Sequence, residues 1–77
     1  MAEIFPGISM DPSIRFGKPC IAGTRVDVAT IIGALAEGES HTTVAGEFGL
    51  TEAQVRTALR YAAHVAEHQP PAVKENV

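Results

Sequence analysis

The sequence predicts a mainly α fold: a tri-helical helix-turn-helix unit of the homeodomain-like kind, preceded by a short N-terminal β arm or hairpin. Three observations predict it. Three apolar stripes with helical spacing follow one another over residues 27–68, and each opens on a residue suited to cap a helix. A glycine-containing corner, Glu47-Phe48-Gly49-Leu50, separates the second stripe from the third. Residues 1–26 are broken so often by Pro6, Gly7, Pro12, Gly17, Pro19 and Gly23 that a helix there is excluded.

The arm, residues 1–26, holds two short apolar pieces, Ile8 to Met10 and Cys20 to Ala22, with Asp11-Pro12 as a turn initiator between them. Two short strands are expected, suited to an edge, and a hairpin alone is only marginally stable. The arm must therefore pack on the helices or on a second subunit. The three-helix domain, residues 27–68, begins at Asp27 as N-cap. Val28, Ile31, Ile32 and Leu35 make one stripe, and Gly38 stops the helix. Val26 and Ile31 are placed to form a hydrophobic staple. Ser40 caps a short second helix ending near Glu47, with Val44, Ala45 and Phe48 facing inward. Thr51-Glu52-Ala53-Gln54 is a capping box for the third helix, whose inner stripe runs Val55, Ala58, Leu59, Ala62 and then Val65 or Ala66. Pro70-Pro71 ends it, leaving residues 69–77 as a flexible tail.

Composition bounds the function. The chain has 77 residues, 45% hydrophobic and 19% charged, which is a globular balance. Chains below ~80 residues rarely stabilise themselves with one core, so a homodimer or higher oligomer is expected. The single cysteine, Cys20, has no internal disulfide partner and no adjacent histidine, and reads as a buried structural thiol. No apolar run approaches the ~20 residues of a membrane helix, and the N-terminus carries no basic signal region. A cytoplasmic protein without membrane partners is the expectation. No nucleophile–base or paired-carboxylate arrangement is visible, so no enzyme and no cofactor are expected. His64 and His68, at i and i+4, lack a third metal ligand of suitable spacing and suit the helix C-terminal dipole better.

The corner carries the functional expectation. A helix-turn-helix needs a small residue where the helices approach, a glycine in the turn, and apolar residues where the helices pack. Ala45, Gly49, Val44, Phe48, Leu50, Val55 and Ala58 meet all seven requirements. The third helix then presents Thr51, Glu52, Ala53, Arg56, Thr57 and Arg60 outward. In a DNA reader, Arg56 would bond guanine, Thr57 a thymine methyl or phosphate, and Arg60 phosphate. Ser40 and Thr42 would reach phosphate from the second helix. The alternative is a plain packing unit whose arginines keep it soluble. A net charge of −3, and Glu52 on the reading face, favour a module that binds protein without DNA.

One string goes beyond composition. Ile8-Ser9-Met10-Asp11-Pro12 leads to Gly17-Lys18-Pro19-Cys20-Ile21-Ala22-Gly23-Thr24-Arg25-Val26. Gly38-Glu39-Ser40, Leu50-Thr51, Val55, Ala58-Leu59 and Tyr61-Ala62 follow. This resembles the family called domain of unknown function 433 over about residues 8–63. The resemblance implies a helix-turn-helix domain with a β arm, often dimeric. It implies an antitoxin of the VapB type, partnered by a PIN-like ribonuclease toxin and by operator DNA. Lys18 and Arg25 become candidates to pair with acidic residues of that toxin, although Arg25 could equally bond backbone carbonyls or Asp11. The chain departs from the family pattern at Cys20, where valine is commoner, at Phe16, where a second glycine is usual, and at Asp27, where proline is common. The last change replaces a fixed φ with a side-chain cap.

Overall fold

The structure, a computed structural model, describes residues 2–68. Three strands come first: β1 (Ala2–Phe5), β2 (Ile8–Met10) and β3 (Cys20–Ile21). They form an antiparallel sheet in the order β1-β2-β3. Three helices follow: α1 (Val28–Ala36), α2 (His41–Phe48) and α3 (Glu52–Glu67). The architecture is therefore mixed α/β, which corrects the mainly α expectation. The expected hairpin exists as β2 and β3, with Ile8 opposite Ile21 and Ser9 opposite Cys20. The added strand is β1. It pairs through Ala2–Met10 and Glu3–Ser9, and an irregularity between Glu3 and Phe5 brings Phe5 opposite Ile8. Pro6-Gly7 turns the chain, with Gly7 at φ +84° and its amide donating to Glu3 Oε2 at 2.6 Å. The piece expected to be an edge strand, Ile8 to Met10, is consequently the central one.

The sheet and helices share one core. Ile8 and Ile21 from the sheet join Val28 and Ile31 of α1, Val44 and Ala45 of α2, and Val55 and Ala58 of α3. Phe5 closes one side of it, with its ring 5.4 Å from Tyr61 and 5.0 Å from His64. The helix limits follow the local chemistry. Asp27 accepts from the Thr30 amide, and Gly38, at φ +101°, ends α1. Ser40 accepts from the Thr43 amide, and Gly49, at φ +70°, ends α2 while the Leu50 amide donates to Ala45 O at 2.8 Å. Both halves of the capping box form: Gln54 N donates to Thr51 Oγ1 at 3.1 Å, and Thr51 N donates to Gln54 Oε1 at 2.9 Å.

The inner stripe of α3 differs at its end. Val55 and Ala58 are buried and Leu59 and Ala62 half-buried, but Val65 is 40% exposed and Ala66 exposed. The helix outruns the core, so its inner stripe opens to solvent from Val65 onward. The tail expected over residues 69–77 lies outside the described residues.

The β2–β3 connection contains an unexpected conformation. Arg15, Phe16 and Gly17 form a 3-10 turn with φ of +50°, +59° and +82°. Left-handed backbone costs a residue with a Cβ roughly 1–2 kcal/mol. Glycine adopts it freely, which accounts physically for the second glycine of the family pattern at the place Phe16 occupies. Phe16 is 92% exposed.

Candidate nucleic-acid interface and partner surface

The two helices flanking Gly49 are locked together at their starts. Thr42 Oγ1 donates to Glu52 Oε2 at 2.8 Å, tying the first turn of α2 to the first turn of α3. Glu52, an awkward residue near phosphate, is thereby held by a neighbour. Ser40 and Thr51 are exposed but engaged as caps, Ser40 also donating to Thr43 Oγ1 at 3.0 Å. Ala53, Arg56 and Arg60 are exposed. Arg60 Nη2 donates to Thr57 Oγ1 at 3.2 Å, whereas the Arg56 guanidinium makes no side-chain bond among the described residues. Arg56, Arg60 and Ala53 lie at helical spacings that put them on one side of α3.

Thr57 is not a fully outward position. It is half-buried, its Oγ1 donates to Ala53 O at 3.0 Å, and its methyl lies under the β1–β2 turn. A Cβ on Gly7 would stand 2.8 Å from Thr57 Cγ2. The strand β1 that brings Gly7 there was not legible in the sequence, so neither was this packing.

Lys18 and Arg25 are both exposed, and they border two different hollows that meet at Asp27. Arg25 borders a cleft of about 180 Å³ shared with Arg15, Asp27, Thr30 and Phe48. Lys18 borders a larger apolar groove, of about 460 Å³, between α1 and α3. The internal bonding weighed for Arg25 is found at Arg15 instead. Its Nε donates to Asp27 Oδ1 at 3.3 Å, and the Asp27 side chain is 4% exposed. Asp27 also accepts from the Thr30 hydroxyl at 2.9 Å and the Thr30 amide at 3.1 Å. Burial pushes the Asp27 carboxyl up, but the Thr30 bonds and the Arg15 guanidinium together hold it below the ordinary carboxylate value. Arg15 lies 12 residues before its partner, and no local pattern announces such a pair.

Cys20 is buried, with Sγ 3.4 Å from Lys18 O, and burial together with the Asp27 charge pushes its thiol up. The His64 and His68 rings stack at 4.2 Å, and His64 also meets Phe5. Among the described residues no group of three or more His, Cys, Asp or Glu side chains is arranged to hold a metal ion. No described helix is long and apolar enough to cross a membrane.

The family model described as "Protein of unknown function (DUF433)" matches residues 8–62, from the central strand to the middle of α3. The chain belongs to the DUF433 family. Its similar proteins include a Mycobacterium tuberculosis protein named "Putative antitoxin VapB45", 36% identical over 52 residues, which are 68% of this chain and 22% of the relative. They also include the uncharacterized protein Rv2308 of the same organism, 35% identical over 59 residues, 77% of this chain and 25% of the relative. The crystal structure of Rv2018 from M. tuberculosis superposes with a TM-score of 0.63 at 36% identity, covering 68% of this chain and 24% of that one. This DUF433 chain thus spans about a quarter of the length of the relatives it matches.

Proposed function

We propose that this chain is the antitoxin of a type II toxin–antitoxin pair: it neutralises a PIN-like ribonuclease toxin in the cytoplasm and, as a homodimer, binds its operator DNA to repress its own synthesis. The observation that carries the DNA half is the α2–Gly49–α3 corner. It has a left-handed glycine at φ +70°, buried Val44, Ala45, Val55 and Ala58 where the helices pack, and exposed Arg56 and Arg60 on one side of α3. That is the arrangement a helix-turn-helix uses, with residues 27–68 as the reading unit and α3 as the helix offered to the major groove. Arg56 is the base-reading candidate because its guanidinium is not engaged elsewhere among the described residues. Arg60 and Ser40 suit phosphate, and Thr42, Thr51, Glu52, Ala53 and Thr57 shape the surface around them. The toxin half is supported by membership of the DUF433 family and by the relative named as an antitoxin. Exposed Lys18 and Arg25 are the cations offered to the toxin's acidic residues.

The test is a gel shift on the chain's own upstream DNA at two salt concentrations. Replacing Arg56 and Arg60 together by Ala is expected to abolish specific retardation and to lower the salt slope by about one for each phosphate no longer neutralised. Failure of the wild-type chain to retard any upstream fragment rejects the DNA half. A second reading, toxin binding without DNA, is favoured by the net charge of −3 and by Glu52 at the start of α3. Co-expression and the gel shift together separate the two: a wild-type chain that rescues growth beside the adjacent reading frame but retards no upstream fragment has only the toxin-binding role.

A further inference from the structure

We propose that two copies of this chain associate by reciprocal exchange, the Phe16 ring of each copy entering the apolar groove between α1 and α3 of the other. The proposal deepens the dimeric part of the functional reading, on which it rests, by naming its surface. Phe16 is 92% exposed on a backbone that glycine would occupy without strain. The turn presenting it is tied at both ends, Gly17 N donating to Ile14 O at 3.0 Å and Lys18 N to Arg15 O at 3.1 Å. An aromatic ring has only two side-chain torsions to fix on binding, and on a backbone tied in this way it makes a strong anchor.

The groove fits that anchor. It is lined by Pro19, Val28, Ala29, Tyr61, Ala62 and Val65, with Lys18 and the buried Asp27 completing it, and holds about 460 Å³. An apolar cavity of about 150 Å³ accepts a benzene ring, so a phenyl group enters this one with room for the flanking chain. The exposed end of the α3 stripe, Val65, forms part of its lining, so occupation completes an apolar face that the fold leaves open. Phe16 stands two residues before Lys18 and three before Pro19, so the ring springs from the chain that forms the rim of the groove. A two-fold rotation then places each ring over the other copy's groove and closes the assembly at two. A second copy is the fitting occupant because it brings the complementary ring, and because a chain with so small a core gains most from added burial. Only Ile8, Ile21, Ile31, Val44 and Val55 are large fully buried side chains among the described residues.

Sedimentation equilibrium of the full chain from about 1 μM to about 1 mM tests this. Wild type is expected to dimerise. Phe16→Gly keeps its far-UV circular dichroism and weakens the dimer by more than about 30-fold for each anchor removed. Ala29→Arg fills the groove from an exposed helix position and likewise gives monomers, while an equimolar mixture of the two variants recovers a heterodimer through one ring and one intact groove. Wild type that stays monomeric overturns the proposal and leaves the groove to residues 69–77 or to another protein. F16G that dimerises as tightly as wild type also overturns it and puts the seam elsewhere. A wild-type dimer dependent on Phe16 that binds neither operator nor toxin rejects the functional reading alone.

Discussion

Replacing Asp27 by Ala should destabilise the fold through two separable losses. The first is the cap: Asp27 accepts from the Thr30 amide at 3.1 Å, and removing such a cap costs about 1 kcal/mol. The second is the pair with Arg15. Arg15 is 45% exposed, so solvent screens the interaction and about 0.5–1 kcal/mol is the appropriate size. The total, about 1.5–2 kcal/mol, corresponds to a fall in Tm of about 6–16 °C for a domain of this length. Asn caps nearly as well as Asp, so Asp27→Asn should lose only the smaller, ionic part. Thermal melts followed by circular dichroism at neutral pH read both. The acid limb adds a sign. The folded carboxyl is held below its ordinary value, so its contribution is complete above the unfolded value of about 3.9. It is then lost as pH falls through the lower folded value. Asp27→Asn removes that part of the acid slope, while the part due to Asp11, lowered by its bonds from the Ser13 amide and hydroxyl, persists. An alanine variant melting within about 2 °C of wild type, or an asparagine variant as weak as alanine, would refute the assignment of Asp27 as a working cap.

Three further outcomes follow from the packing. Gly7→Ala should cost about 1–2 kcal/mol for its left-handed backbone and a further ~1–3 kcal/mol for overpacking against Thr57, and adding Thr57→Ser should recover only the second part in urea titrations. Ile31→Ala, at a fully buried position, should cost about 2–5 kcal/mol, leaving little stability in so short a chain, as its urea midpoint will report. The Glu39 carboxyl is pushed up by its hydrogen bond to, and the charge of, Glu47. Its ionisation therefore weakens the fold, and wild type should gain stability relative to Glu39→Gln as pH falls through the raised value, opposite in sign to Asp27.

The three helices could be read from sequence because their limits are set by neighbours in the chain. Asp27, Ser40 and the Thr51–Gln54 box bond groups only three residues away, and Gly38 and Gly49 take positive φ where each helix stops. What escaped depended on distant partners. Strand β1 exists because β2 offers it an edge, and the covering of Thr57 depends on the turn that β1 creates. The Arg15–Asp27 pair joins the middle of the β2–β3 connection to the start of α1, across β3. Periodicity placed Val65 on the inner stripe correctly as a direction, but the core ends before α3 does. At the candidate interface, the exposed Arg56 and Arg60 were readable from their i, i+4 spacing. That Thr42 would hold Glu52 was not, because it requires the angle at which α2 and α3 meet.

The buried sulfur on β3 has a practical consequence. A thiol-seeking dye reaches Cys20 only when the packing around this short strand opens, so its uptake in native buffer keeps time on that opening. One chain, one thiol and one colour change make a stopwatch for how often this sheet lets go.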